Sequence, residues 1–249
     1  MKRILTKGQL WGVFCRLGLL QASWNFQRLQ NLGVLFALGP ALRSLYSGDE
    51  QRDAAKRHLV YFNTHPFMAP AALGASLAID EAVLTGQMTP VSSEDFRRMT
   101  MAPFAAMGDA LFWGGLRPLA ACFALFFAFS GSLWAPVVFL VLFNIPHLLF
   151  AVVGFWAGYL RRHQVLEYVA KKRFPDLAIR AKEVMIILLG GLCAFQIFQV
   201  KPQPLPYPMG MLVALMLILA AGYLFRRGWS ALMLLLATLA GALAFAGLF

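Results

Sequence analysis

The chain has 249 residues, 60% of them hydrophobic and only 13% charged, with a formal charge of +11 from 22 Lys/Arg against 11 Asp/Glu. Its mean hydropathy of +0.67 and low charge content exclude an ordinary soluble domain, in which charged residues make up about 25%. The basic residues sit in short clusters between apolar stretches, the pattern of cytoplasmic loops in integral membrane proteins, so nucleic acid is not the expected partner. Cys15, Cys122 and Cys193 lie far apart without a CxxC, so neither a disulfide framework nor a zinc site is expected.

The opening "MKRILTKGQLWGVFC" superficially resembles a signal peptide. Its apolar run is short and Arg16 interrupts the stretch after it, so the N-terminus is expected to be retained and cytoplasmic. Within 10–46, Gln21, Asn25 and Arg28 recur at i, i+4 and i+7, with Trp24, Phe26 and Leu29 on the remaining faces. This spacing predicts an interfacial or half-inserted helix. Residues 47–58, "SGDEQRDAAKRH", read as a solvated connection of mixed charge. Apolar character returns over 59–84, where Pro66 and Pro70 predict a broken or re-entrant element. Such backbone is tolerated at membrane depth only inside protein or beside water.

Further along, 102–130 and 133–160 read as spanning helices, the first interrupted by Asp109 and Arg117, the second kinked at Pro146. Segments 184–200, 208–225 and 229–249 carry no charge. Each is about long enough for a hydrocarbon core of roughly 30 Å. The four prolines of "KPQPLPYP" (201–208) predict a tight loop between the first two. Segment 161–182 holds seven basic residues against Glu167 and Asp176, which predicts a cytoplasmic loop. Alternation from there puts Arg226-Arg227 and "EDFRR" (94–98) inside and the C-terminus outside. The expected fold is all-α: one polytopic membrane domain over 1–249, interfacial and re-entrant over 10–100, with about five spanning helices over 102–249.

Candidate chemistry begins with "FNTHPF" (62–67). Asn63 or Thr64 would serve as a helix N-cap with Pro66 near the first helical position. Alternatively, Asn63 and His65 offer the mixed donors and acceptors that sugar hydroxyls need, between Phe62 and Phe67 as apolar faces. Asp109 and Arg117 are opposite charges in an apolar stretch, and such residues are functional hypotheses by default. Eight residues span roughly 12 Å of helix, too far for a direct pair. Gly114-Gly115 and Pro118 predict an interruption there, and the competing role for both charges is subunit assembly. Asp80-Glu81 read either as surface carboxylates or as groups facing the same cavity as Asn63. Asn144 and His147 share a face and are expected to be satisfied within the bundle. Gly190-Gly191 are expected to permit close helix packing. No nucleotide loop, metal constellation or Ser-His-Asp pattern is present, so neither a cofactor nor a metal is expected and a self-contained enzyme has little support.

Four motifs in order, "LLQASWNFQRLQNLGVLFALGPALRSLY" (19–46), "FNTHPF" (62–67), "AIDEA" (78–82) and "GDALFWGGLRP" (108–118), resemble the IID subunit of mannose/fructose/sorbose-family phosphotransferase (PTS) permeases over about residues 10–160. The resemblance implies a multi-pass subunit of the bacterial plasma (inner) membrane. Such a subunit pairs with IIC in an oligomeric complex that translocates a hexose, while cytoplasmic IIA and IIB proteins deliver the phosphate. It implies no phosphorylated residue in this chain. The positions that match are Asn63, Thr64, His65, Glu81, Asp109 and Arg117 as sugar-site residues, with Gln21 and Asn25 beside them. Family glycines are replaced in Ala69-Pro70 and in "APFAAMGD" (102–109), and the extracytoplasmic segment is shortened to about 201–207. These departures leave an alternative, a structural or regulatory subunit that scaffolds IIC without binding sugar.

Overall fold

The computed structural model describes residues 4–199 and 207–246, and helices joined by turns account for them. The chain divides into two compact units, one ending at Cys193 and one beginning at Ala194. The proline-rich connection over 201–206 and the last three residues lie outside the described residues.

In the first unit, α1 (Lys7–Leu17) starts at a capping box. The Gln9 N–H donates to Thr6 Oγ1 (3.3 Å) and the Thr6 N–H donates to Gln9 Oε1 (2.8 Å), satisfying donors that a helix start leaves open. Leu10, Val13 and Leu17 form its buried stripe. The interfacial helix predicted from Gln21, Asn25 and Arg28 is corrected here, because residues 18–30 are turns. Asn25 Oδ1 accepts from the Arg28 N–H (2.8 Å) and Asn25 Nδ2 donates to Leu29 O (3.2 Å), while Leu29 adopts φ 54°. A short amide side chain that bonds its neighbouring backbone competes with the helix, and here it wins. Trp24 and Phe26 of this loop stack edge-on and are exposed.

Helix α2 (Asn31–Leu45) returns against α1, with Gly33 lying on the Leu20 carbonyl where any Cβ would overlap it. The charged stretch forms α3 (Gly48–His58), with Asp49 and Glu50 in its first turn and Lys56, Arg57 and His58 in its last, the arrangement favoured by the helix dipole. Helix α4 (Ala69–Leu84) is buried at every residue from Ala69 to Ala82; most of these are apolar, and the buried Ser76, Asp80 and Glu81 are hydrogen-bonded. Pro66 lies in the preceding turn and Pro70 in the first helical turn. The two prolines therefore introduce a helix and do not break one.

Helix α5 (Ser93–Gly108) runs through a π-helix (Asp109–Leu116) into α6 (Arg117–Phe129). The expected interruption is thus a widened turn in a continuous rod, where the Arg117 N–H donates to Phe112 O five residues back. Pro118 has no N–H to offer Gly114. Helix α7 (Ala135–Arg161) carries Pro146 in its interior and seats its GFWAG face on α4. Gly158 meets the Ala71 carbonyl, Gly154 meets the Ala71 side chain and Gly74 meets the Phe155 carbonyl. Small residues four apart let two backbones touch. Arg162 (φ 54°) ends α7, and after one 3₁₀ turn come α8 (Val165–Lys171) and α9 (Phe174–Gln199).

In the second unit, α10 (Tyr207–Arg226) and α11 (Ala231–Ala246) are joined by a turn at Gly228 (φ 93°) and expose Leu, Ile and Met side chains along their length. Two helical stretches, Ser93–Phe129 and Ala135–Gln196, are long and apolar enough to cross a membrane. Gly190 and Gly191 have open space where a Cβ would stand, so no close packing within the described residues uses them.

Candidate functional site

The turn at 62–68 is held from two sides. Gln30, itself buried, brackets Thr64: the Thr64 N–H donates to Gln30 Oε1 (3.0 Å) and Gln30 Nε2 donates to Thr64 O (2.8 Å). The Gln30 N–H also donates to Phe62 O (2.9 Å). From α5, Met101 O accepts the Thr64 hydroxyl (3.0 Å), and the Asn63 N–H points at Met101 Sδ (3.3 Å). Thr64 is therefore a tie between segments, and the N-cap of α4 is Met68. Asn63 remains exposed.

His65 is only 2% exposed. Its ring stacks on Phe112 (5.1 Å) and lies against Trp113 (5.0 Å) and Phe67 (5.2 Å). Gly108 forms the floor, since any Cβ there would overlap the imidazole. The Phe67 N–H donates to Nδ1 (3.3 Å), which places the ring proton on Nε2. That nitrogen is buried and has no hydrogen-bond partner among the described residues. Burial, and secondarily the neighbouring His147, pushes the His65 pKa down to about 4. His65 is thus a neutral donor at neutral pH. His147 stacks flat on Phe67 (3.9 Å) and its Nδ1 lies 3.1 Å from Phe143 O. It belongs to the aromatic wall of the same turn.

Asp80 and Glu81 point into different places. Asp80 joins α3, α4 and α5: its Oδ2 lies 3.0 Å from His58 Nε2, and its Oδ1 accepts from Ser93 Oγ (2.6 Å). Arg97 donates to His58 Nδ1 (2.8 Å), Ser76 Oγ (2.7 Å) and Arg57 O (2.6 Å). All five side chains are buried, so the charges of Asp80 and Arg97 meet through an imidazole and hydroxyls. Burial raises the Asp80 pKa, but hydrogen bonds from His58 and Ser93 and the charge of Arg97 outweigh it and hold the carboxyl below its ordinary range. Burial and the Asp80 charge push the half-buried Tyr46 hydroxyl up to about 12. Glu81, by contrast, receives the N–H groups of Ile4 (2.6 Å) and Leu5 (2.8 Å) and the Tyr159 hydroxyl (2.5 Å). Three of its roughly four acceptor positions are taken up inside the protein.

Asp109 opens the π-helix and Arg117 follows it, and both are exposed. Arg117 lies over the Trp113 ring (5.5 Å), and no ion pair joins the two among the described residues. The structure therefore gathers Asn63, Thr64 and His65 in one turn, places Arg117 over the Trp113 of its wall and Asp109 next to the Gly108 of its floor, and engages Glu81 elsewhere. Sequence reasoning missed Gln30, Met101 and Gly108, which position the turn, and the partners of Asp80. Only Gly108, the glycine kept in an otherwise degenerate motif, carried a signal that pointed to the turn. No cluster that would hold a metal ion is found among the described residues.

A helical membrane protein built around a buried polar turn is the class these features define. A family described as the PTS system mannose/fructose/sorbose family IID component matches residues 4–249, and the chain belongs to that family. It is 35% identical over 191 residues to the PTS system mannose-specific EIID component of Escherichia coli (strain K12), covering 76% of this chain and 68% of that one. The PTS system sorbose-specific EIID component of Lacticaseibacillus casei is 35% identical over 77% of this chain and 69% of its own. The fructose permease IID component of Bacillus subtilis (strain 168) is 30% identical over 76% and 69%. Among solved structures, the complex of the mannose transporter ManYZ with microcin E492 contains a chain with TM-score 0.60 and 28% identity, matched over 99% of this chain and 98% of that one. A structure described only as a membrane protein gives TM-score 0.72 at 29% identity, over 98% and 97%.

Proposed function

We propose that this IID chain forms, with a IIC subunit, the path by which a mannose-type hexose enters a bacterial cell across the plasma membrane. Cytoplasmic IIA and IIB proteins phosphorylate the sugar in this scheme. The observation that carries the sugar assignment is the buried Nε2–H of His65, without a hydrogen-bond partner among the described residues, beside the exposed Asn63 and walled by Phe67, Phe112 and Trp113. An unsatisfied buried donor costs about 1–3 kcal/mol; a sugar hydroxyl that reached it would satisfy it, with the exposed Trp113 as the aromatic surface beside it. A buried nitrogen that carries a proton is a poor phosphate acceptor, so His65 is assigned to binding. Thr64 positions the turn and Glu81 braces the bundle. Asp109 and Arg117, exposed on an apolar rod, are assigned to the contact with IIC.

The test is uptake of labelled mannose and fructose in cells carrying Asn63→Ala or His65→Ala with IIC co-purification intact. Loss of one neutral hydrogen bond predicts a fall of up to about tenfold. Unchanged uptake would remove the sugar assignment and favour a scaffolding role. The proposed orientation places the N-terminus and 161–182 in the cytoplasm and the C-terminus outside, with about five spans. It rests on the basic excess of 161–182.

A further inference from the structure

Between α4, α7 and α8 lies a cavity of about 300 Å³. A single water needs only roughly 10–15 Å³, and a cavity with apolar walls stays dry or takes an apolar guest. The walls here are Ala71, Leu149, Val153, Ala157 and Val169. Lys172 is the one charged residue of the lining, with Tyr168 beside it. A sugar would find almost no hydroxyl partners in such a space.

The charge at this edge is unbalanced. The Tyr168 ring carries two cations, Arg161 at 4.3 Å and Lys172 at 5.2 Å. The two acids of segment 161–182 are already engaged, Glu167 with Lys171 and Asp176 with Arg173, both at 2.6 Å. Arg161 and Lys172 have no carboxylate partner among the described residues. Two like charges drawn to one ring repel each other, and an anion beside them relieves the repulsion. An apolar slot whose edge is cationic matches one guest, an acyl chain that ends in a negative headgroup. Basic pockets between membrane helices bind anionic lipid headgroups in this way.

We propose that the cavity between α4, α7 and α8 binds an anionic phospholipid, with an acyl chain along Ala71, Val153 and Ala157 and the phosphate at Lys172 and Arg161. The inference needs a bilayer around the chain but neither the sugar site nor a particular orientation. Its failure would therefore leave the uptake result of His65→Ala untouched, and the reverse also holds.

The test is native mass spectrometry of the detergent-purified IIC–IID complex incubated with phosphatidylglycerol or phosphatidylcholine of the same chain length. The wild type should retain phosphatidylglycerol about fivefold better, the factor one basic side chain supplies at a headgroup. Lys172→Gln, an exposed position, should reduce that preference towards parity. Ala157→Phe should fill the slot and lower retention of both lipids. Soluble glycerol phosphate should not displace the lipid, because it lacks the chain. Equal retention of the two lipids by the wild type, an unchanged preference in Lys172→Gln, or no lipid on the wild-type complex because IIC fills the slot would each overturn the proposal.

Discussion

His58 has its tautomer dictated by a neighbour. Arg97 can only donate, so His58 Nδ1 must accept and Nε2–H faces Asp80. Burial, then the charge of Arg97, pushes the His58 pKa below its ordinary 6.5, as burial does for His65. Both histidines are neutral in the folded chain and take up a proton near pH 6.5 when unfolded. Between about pH 6.5 and the lower folded values the unfolded state binds more protons, so stability falls as the pH falls. The slope is about 1.4 kcal/mol per pH unit for each histidine. The melting temperature in detergent should drop between pH 7.5 and 5, and His58→Gln should flatten that dependence. A flat profile in the wild type would contradict the buried neutral imidazoles. The sequence made Asn63, Thr64 and His65 visible because they adjoin one another. It could not show that Asp80 meets His58 and Arg97, because those partners come from α3 and α5 and no local spacing links them.

Among the elements, the seam between α4 and α7 is the most demanding. Gly158 lies against the Ala71 carbonyl, with no room for a methyl group, whereas Gly190 faces open space. Gly158→Ala should therefore destabilise the protein by about 1–3 kcal/mol through overpacking, whereas Gly190→Ala, in the interior of α9, should leave its melting temperature unchanged or slightly raise it. Equal effects would mean that the seam is not the close contact described. Runs of apolar residues without charge located the long helices well, since 133–160 became Ala135–Arg161 and 208–225 became Tyr207–Arg226. Periodicity failed over 18–30, where a helical spacing of polar residues was coincidental and Asn25 spent its side chain on a turn. Around 109–118 the glycines and Pro118 signalled disturbance. A widened helical turn and a break share that signal, and only the Arg117 to Phe112 bond separates them.

For the whole molecule, the proposed orientation is checked with a single cysteine at the exposed Gln164, in a variant whose three native cysteines are replaced by serine. A membrane-impermeant maleimide should react only after the cells are opened, and labelling of intact cells would reverse the orientation. Assembly has its own test. Asp109→Ala and Arg117→Ala touch exposed side chains, so each variant should fold but recover less IIC on co-purification. Full recovery would return both charges to some other role.

The hold of Glu81 and Tyr159 on the turn before α1 has a consequence for biosynthesis. The N–H groups of Ile4 and Leu5 find their acceptor on a residue made more than seventy positions later, and the phenol that shares that acceptor comes from further on still. A ribosome works from the N-terminal side onward, so this turn leaves it before its mooring exists. Helix α1 can pack on α2 early, but the turn before it stays untethered until α4, and then Tyr159 of α7, have been made.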